Sequence, residues 1–181
     1  MTKNNFEDSV LIDRGNGTIK IKELNNITAF LIPSDSWATI RDGLHERFGS
    51  GAWIILRGMG QSSGQFIAKQ VKMTAAAAPT SSQETTPGEL FTSLSKLAAI
   101  VGWGKVSIWG DLSSGREVVV TIRNCPFCEQ LRVTGEEECY FYAGVVQGVV
   151  DELYGGSHNA RETRCRAKMG DVCEIIARST Q

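Results

Sequence analysis

The residues that decide the fold run from Cys139 to Cys173 and read CYFYAGVVQGVVDELYGGSHNARETRCRAKMGDVC. They contain three of the five cysteines in the chain. Apolar residues recur at helical spacing in the first half, and Gly155 and Gly156 end that helix. From Ala160 the pattern changes to short alternating runs, which is typical of a β-hairpin. The stretch therefore predicts one helix followed by one hairpin, with cysteines on both.

The predicted hairpin brings two cysteines together. Its strands are residues 161–168 and 172–178, and its turn is centred on Met169. That turn places Cys165 opposite Cys173, and opposed residues have Cβ atoms about 4.5–5.5 Å apart. Both thiolates can then reach one metal ion.

Two further ligands are available to such an ion. Residues 136–138 are glutamates, which suit a helix N-terminus, and Cys139 in the first helical turn can supply a third sulfur. Glu162 is the natural fourth ligand, but an unbroken strand would direct it away from Cys165, so we expect a bulge near Thr163. Three sulfurs and one carboxylate oxygen suit tetrahedral Zn²⁺ and leave no position for a catalytic water. The pattern predicts a structural zinc site.

This stretch resembles the 4-vinyl reductase domain family. The resemblance rests on Cys139 and the aromatic, glycine-containing helix after it, on Glu162-Thr-Arg-Cys165 and on Gly170-Asp-Val-Cys173. The family is related in fold to small subunits of the TRAPP vesicle-tethering complex and to the sensor domains of phenol-responsive bacterial regulators. In those sensors a Cys, Glu, Cys, Cys set holds zinc, and the resemblance assigns that role here to Cys139, Glu162, Cys165 and Cys173.

Composition sets limits on function. The 181 residues suit a single domain, which we expect over 28–178, preceded by an N-terminal arm or strand over 1–27. A formal net charge of −1 gives no general attraction to nucleic acid or to anionic membranes.

The N-terminus lacks the apolar segment of a signal peptide, and no run is apolar enough to span a membrane, so we expect a cytoplasmic protein. In a reducing compartment, clustered cysteines are more often metal ligands or redox groups than disulfides.

The remaining elements follow from periodicity. Residues 37–48 and 52–73 show helical spacing, and Thr86-Pro87-Gly88-Glu89 is a capping box that starts a third helix. Between them, residues 74–86 are predicted to be a mobile loop. Residues 18–21 alternate and indicate a strand or a partner-binding arm.

A first hairpin is predicted before the cysteine-rich stretch. Residues 105–109 and 116–123 alternate apolar and polar side chains around a turn at 111–115. With the second hairpin this makes four strands. The order of elements predicts an α+β fold, a four-stranded antiparallel sheet with helices packed against it, and the resemblance implies that it is TRAPP-subunit-like.

Three glycines in the second helix have two interpretations. Gly58, Gly60 and Gly64 suggest a nucleotide-binding loop, but their spacing is GxGxxxG and no clear strand and turn precede them. We expect them to allow close helix packing.

Cys125-Pro-Phe-Cys128 is the second motif that can carry chemistry. A CxxC after a strand is compatible with a redox dithiol, with a contribution to metal binding, or with inert packing. The surrounding elements are not the βαβ unit of a thiol oxidoreductase, and the resembling family usually lacks paired thiols here. The three roles remain open.

Two more groups of residues are candidates for binding. By analogy with the phenol sensors, the resemblance implies a ligand pocket between helices and sheet that is lined by aromatic side chains, namely Trp53, Phe66, Trp103, Trp109, Tyr140 and Phe141. His158 is an alternative to Glu162 as a metal ligand, although its position after Gly155-Gly156-Ser157 favours a loop histidine.

Together with the resemblance, these patterns predict a small-molecule-binding or sensory domain of the 4-vinyl reductase type, which has a structural zinc, binds a hydrophobic or aromatic ligand and works as a homodimer. The chain has two histidines and no recognisable catalytic triad, phosphate loop or nicotinamide or flavin site, so no enzymatic activity is assigned. The alternatives are a TRAPP-like assembly subunit and a thiol redox switch through Cys125 and Cys128.

Overall fold

The structure is a computed structural model that describes residues 9–77, 85–128, 139–168 and 170–180. Within these ranges the helices are α1 (Ser34–Phe48), α2 (Gly51–Ala76), α3 (Pro87–Ile100) and α4 (Tyr140–Tyr154). The strands are β1 (Val10–Asp13), β2 (Thr18–Ile21), β3 (Ile27–Ala29), β4 (Lys105–Gly110), β5 (Glu117–Arg123), β6 (His158–Arg164) and β7 (Cys173–Ser179).

The main sheet has four antiparallel strands in the order β4-β5-β7-β6. The predicted α+β class and the two hairpins are confirmed. Outside this sheet, β1, β2 and β3 form a smaller antiparallel sheet with β2 in the middle. Residues 18–21 are therefore a strand, whereas β1 and β3 were not predicted from the sequence.

Helix α4 lies at the centre of the fold, between α2 and the main sheet. Glycines at the α2–α4 crossing allow the two backbones to touch. A Cβ atom added to Gly60 would stand 2.0 Å from the Phe141 carbonyl oxygen, and one added to Gly144 would stand 2.1 Å from the Arg57 carbonyl oxygen. The close-packing interpretation is confirmed for Gly60 and Gly64 and is wrong for Gly58, which has no neighbour within 4 Å. Gly148 lies on the same crossing.

The second hairpin differs in detail from the prediction. Strand β6 begins at His158 and ends at Arg164, so residues 166–168 form a short 3₁₀ turn instead of continuing the strand. Arg164 pairs with Glu174, and Cys165 lies just beyond the last pair instead of on the strand. A register shift between Glu162 and Arg164 confirms the bulge expected near Thr163.

Helix α2 is longer than predicted. It runs to Ala76, so residues 74–76 of the predicted loop are helical, because the alanine run favours continuation of the helix. The rest of that loop between 78 and 84 lies outside the described residues, as do the glutamates at 136–138 and the turn centre Met169. The capping box is confirmed: the Thr86 N–H donates to Glu89 Oε2 at 2.8 Å.

The core lies between the main sheet and helices α2, α3 and α4. Its fully buried side chains include Leu56, Val118, Ile122, Val150 and Ile175. Across the described ranges, no helix has both the length and the apolar composition needed to cross a bilayer.

Candidate metal and ligand sites

All five cysteines are buried in one cluster and none forms a disulfide. Cys125 follows β5, Cys128 ends the short turn after it, and Cys139 directly precedes α4. Cys165 follows β6, and Cys173 is the first residue of β7. The cluster therefore joins the end of each hairpin to the start of the central helix.

The sulfur atoms lie close together. Cys128 Sγ is 2.7 Å from Cys139 Sγ, 3.8 Å from Cys165 Sγ and 3.6 Å from Cys173 Sγ. Cys139 Sγ is 3.5 Å from Cys173 Sγ and 3.9 Å from Cys125 Sγ. These separations suit donors that surround a single ion.

Two overlapping groups of donors can hold such an ion. Cys139, Glu162, Cys165 and Cys173 have donor atoms within 4.8 Å of one another, so the structure brings the four predicted ligands together. The bulge in β6 lets Glu162 and Cys165 face the same side, and Glu162 Oε2 accepts a hydrogen bond from the Cys139 N–H at 3.1 Å. The second group is Cys125, Cys128, Cys139 and Cys173.

Burial changes the acidity of these groups. It raises the pKa of Glu162 to about 8, and the nearby Cys165 sulfur adds to this shift. Sulfur hydrogen bonds from Cys128 and Cys139 lower the pKa of Cys165 to about 6. A divalent cation would compensate buried thiolates, and thiolates with a carboxylate are donors that Zn²⁺ accepts, so the residues present fit a zinc ion.

His158 does not belong to this cluster. It is buried at the start of β6, not in a loop, and its Nδ1 lies 3.0 Å from Asp151 Oδ1. Its Nε2 lies 3.1 Å from the Gly115 carbonyl oxygen. Both ring nitrogens are engaged, so His158 links α4 to the first hairpin and is no alternative to Glu162.

A second candidate site is an apolar cavity of about 420 Å³. It lies between the small sheet, α3, α4 and the first hairpin. Its wall includes Val10, Ile19, Ile21, Phe91, Leu94, Leu97, Trp103, Val106, Ile108, Tyr142, Val145, Val146 and Val149. The Tyr142 hydroxyl donates to the Trp103 carbonyl at 3.3 Å. The volume is in the range of small-molecule sites, which is about 300–1,000 Å³.

The aromatic residues predicted for a pocket are distributed over several places. Trp103 lines the cavity. Trp53 and Tyr140 stack on each other with ring centroids 4.6 Å apart, outside the cavity wall. Phe66 and Trp109 are 47% and 54% exposed. Phe141 also lies outside the cavity wall, in an aromatic cluster with Trp37, Trp103 and Phe127.

One aromatic residue connects the two sites. Phe127 lies between the two cysteines of the CPFC loop (residues 125–128), and its ring is 5.8 Å from Trp103 and 5.6 Å from Tyr142. Both of those residues line the cavity. Sequence reasoning missed Phe127 and Tyr142, because no local pattern shows that the CPFC loop reaches the cavity wall.

The fold and these sites define a class of protein, a mixed helix-and-sheet domain with an apolar cavity beside a buried cysteine cluster. Residues 118–179 match the 4-vinyl reductase domain. The resemblance to that family is thereby confirmed over this part of the chain. An uncharacterized protein of Methanocaldococcus jannaschii is 27% identical over 62 residues, which are 34% of this chain and 36% of that relative. The match thus spans about a third of the length of the curated relative.

Solved structures share the fold over most of the chain. The phenol-responsive sensory domain of the transcription activator PoxR, solved with phenol, has a TM-score of 0.75 at 15% identity and covers 99% of this chain and 92% of its own. A vinyl-4-reductase family protein from Methanocaldococcus jannaschii has a TM-score of 0.59 at 15% identity, and the match covers 84% of this chain and 85% of that protein. A third similar structure is subunit 3 of a trafficking protein particle complex from Naegleria fowleri, covalently bound to palmitic acid. It has a TM-score of 0.56 at 13% identity, and the match covers 82% of this chain and 93% of that subunit. The fold is therefore TRAPP-subunit-like.

Proposed function

We propose that this chain is a small-molecule sensory domain that binds a hydrophobic or aromatic ligand and is stabilised by zinc. The observation that carries the proposal is the apolar cavity of about 420 Å³ beside the cysteine cluster. The match to the 4-vinyl reductase domain and the sensory-domain fold of PoxR support the same class. Burial of apolar ligand surface supplies about 25 cal/mol per Å², so an apolar wall provides a driving force for binding.

The cavity wall indicates the chemistry of the ligand. Its lining is almost entirely aliphatic and aromatic, and the Tyr142 hydroxyl is already bonded to Trp103. A ligand with a large apolar body therefore fits better than a strongly polar one, since buried polar groups without partners are costly. Phenol in PoxR and palmitic acid in the Naegleria subunit are ligands of this general character.

Ligand binding can be tested by thermal shift and calorimetry with phenols, fatty acids and tetrapyrroles. We expect at least one class to raise the melting temperature of the wild-type protein. Val146→Trp should abolish the shift, because Val146 is buried in the cavity wall. Ile54→Trp is the matched control, since Ile54 is 76% exposed and outside the cavity. Absence of any binder among these classes would contradict the proposal.

The proposed zinc has a structural role. Held by Cys139, Glu162, Cys165 and Cys173, it would tie the second hairpin to the start of α4. We expect about one zinc per chain by elemental analysis, and its loss in Cys139→Ser and Cys173→Ser, because both donor groups include these two residues. Protein purified without chelator that contains no metal would contradict this role.

A homodimer is the second part of the proposal. Helix α2 has a buried face against α4 and an apolar stripe on its opposite side, formed by Ile55, Met59, Phe66 and Met73. Their exposure ranges from 39% to 52%, and their spacing of four, seven and seven residues keeps them on one helix face. A second copy of this chain can cover the stripe, as can the partner of a TRAPP-like assembly subunit.

The oligomeric state can be measured by size-exclusion chromatography with light scattering. We expect a dimer for the wild type and a monomer for Phe66→Glu, because the substitution places a charge in the middle of the apolar stripe. Lys96→Glu, a charge change at an exposed position on α3, is the control and should leave the dimer intact. A wild-type monomer would contradict both the homodimer and self-assembly of a tethering subunit.

A redox switch through Cys125 and Cys128 is the less favoured function. The two residues are 0% and 5% exposed, so an oxidant can reach them only if the CPFC loop opens. A reversible disulfide between them after mild peroxide, detected by mass spectrometry, would support the switch; unmodified thiols would contradict it.

The free, clustered cysteines are also our reason for proposing a cytoplasmic location.

A further inference from the structure

The five sulfurs of the cysteine cluster are arranged as a triangle with two further sulfurs close to it. Cys128, Cys139 and Cys173 form a triangle with sulfur separations of 2.7, 3.5 and 3.6 Å. Cys125 lies within 4.8 Å of all three. Cys165 lies 3.8 Å from Cys128 and within 4.8 Å of Cys139 and Cys173. The triangle is therefore shared by two groups of four sulfurs, one completed by Cys125 and the other by Cys165.

These distances can be compared with those in a tetrahedral thiolate site. A zinc–sulfur bond of about 2.3 Å implies sulfurs about 3.8 Å apart at the corners of a tetrahedron. Of the five separations, four are between 3.5 and 3.9 Å, and only the Cys128–Cys139 pair is shorter. A multi-iron cluster, in which each cysteine binds its own iron, would hold the sulfurs farther apart.

We infer that Cys128 is a metal ligand and that the CPFC loop belongs to the metal centre, which is an all-cysteine site. The ion binds the shared triangle of Cys128, Cys139 and Cys173 and takes its fourth thiolate from Cys125 or Cys165. This inference rests on the proposed metal site: it keeps Cys139 and Cys173 as ligands, replaces Glu162 with Cys128, and makes Cys165 and Cys125 alternatives for the remaining position.

Glu162 then has a different task. Its Oε2 accepts the Cys139 N–H at 3.1 Å, so its carboxylate holds the backbone that presents the Cys139 sulfur. It is a positioning residue, and Gln can accept the same hydrogen bond. An all-thiolate donor set also selects the ion: Zn²⁺, Cu(I) and a single iron are favoured over hard cations that prefer oxygen.

The arrangement predicts one ion per chain. Two ions on opposite sides of the shared triangle would face each other across three sulfurs at short distance and repel each other. It also predicts that Cys125 and Cys165 can substitute for each other as the fourth ligand, because removal of either one leaves a complete group of four thiolates.

The test compares Cys128→Ser with Glu162→Gln. Metal content is measured by elemental analysis, and affinity by competition with a chromophoric chelator. We expect Cys128→Ser to weaken zinc binding by more than about 100-fold. Glu162→Gln should weaken it by less than about tenfold, because Gln keeps the hydrogen bond whose loss at an outer-shell position costs about 10–100-fold. Cys125→Ser and Cys165→Ser should each retain about one zinc, and the double variant should lose it.

Cobalt spectroscopy supplies a readout of the ligand set itself, which metal content alone does not give. Co²⁺ is added to the metal-free wild type and to Glu162→Gln, and the thiolate-to-cobalt absorption is recorded. We expect the same four-thiolate spectrum in both proteins, because Glu162 is not a ligand. Circular dichroism of each cysteine variant, recorded with and without zinc, separates loss of a ligand from loss of the fold.

Several outcomes would overturn the inference. If Cys128→Ser keeps zinc and Glu162→Gln loses it, the ligands are Cys139, Glu162, Cys165 and Cys173, and the proposed zinc site stands without the CPFC loop. Loss in both variants makes Glu162 a ligand, and retention in both removes Cys128 from the site. A wild-type protein without metal refutes the proposed metal site itself.

Discussion

Tyr154 shows how a single residue connects distant parts of the chain. Its hydroxyl donates to the Leu112 carbonyl at 2.8 Å, so the end of α4 is bonded to the turn between β4 and β5. Gly115 in that turn has a φ of 72°, and a Cβ added there would stand 2.5 Å from the Tyr154 ring. The turn therefore needs glycine both for its backbone conformation and for the space.

Replacement of this tyrosine gives a prediction for stability. Tyr154→Phe keeps the ring but leaves the Leu112 carbonyl without this donor. We expect the free energy of unfolding to fall by about 1 kcal/mol, the usual net value of one hydrogen bond. Urea unfolding at neutral pH measures the difference, and no change would contradict a structural role for the hydroxyl.

The same residue predicts a pH dependence. Burial raises the pKa of Tyr154 to about 12, with the charge of Asp111 as a smaller cause. Because the pKa is higher in the folded than in the unfolded state, this contribution to stability is present below about pH 10 and is lost as the pH rises toward about 12. Tyr154→Phe should lose less stability than the wild type over that range. Parallel curves from alkaline urea unfolding would show that another group is responsible.

At the scale of elements, the α2–α4 crossing is the most constrained contact of the fold. The backbones touch at Gly60 and Gly64 on one helix and at Gly144 and Gly148 on the other. This proximity lets the Arg57 side chain on α2 donate to Gln147 Oε1 on α4 at 2.7 Å. Alanine at these glycines would force the helices apart.

The crossing can be tested with two substitutions on the same helix. Gly60→Ala should destabilise the protein by about 1–3 kcal/mol, the usual cost of overpacking, because its Cβ would overlap the Phe141 carbonyl. Gly58→Ala is the matched control: it has no neighbour within 4 Å, and alanine favours the helix by about 1 kcal/mol. We expect this control to be neutral or stabilising. Equal effects in the two variants would show that helix propensity, not packing, controls the crossing.

At the scale of the whole molecule, one aromatic residue joins the cysteine cluster to the cavity wall. Phe127, inside the CPFC loop, contacts Trp103 and Tyr142, which line the cavity. Order in the loop should therefore affect ligand binding. If the chain binds a ligand and a metal as proposed, this contact gives a physical route by which each would stabilise the state that binds the other.

We predict that metal binding and ligand binding each strengthen the other. Chelation of the metal should weaken binding of the hydrophobic ligand at least about fivefold, within the usual range of coupling between sites. Phe127→Ala should reduce that effect, whereas Phe48→Ala, at an exposed position at the end of α1, should not. Calorimetric titration of the metal-loaded and metal-free proteins measures the ligand affinity of each form. Equal affinities in both forms would show that the sites are independent.

The sequence by itself determined the local elements and part of the cysteine cluster. The capping box at Thr86, the glycine stop after α4 and the alternation in the hairpins act within one turn or one strand pair, so their signals are contiguous in the chain. The spacing of Cys139, Glu162, Cys165 and Cys173 was also readable, because the helix and hairpin that carry them follow each other directly.

Only the tertiary structure decided the rest. Cys128 and Cys173 lie 45 residues apart in the chain, yet their sulfurs are 3.6 Å apart, because β5 and β7 pair in the main sheet. The cavity likewise combines the small sheet with α3, α4 and the first hairpin, elements whose side chains meet only when the core packs. Periodicity reports which face of an element is apolar, but it does not report which distant element will cover that face.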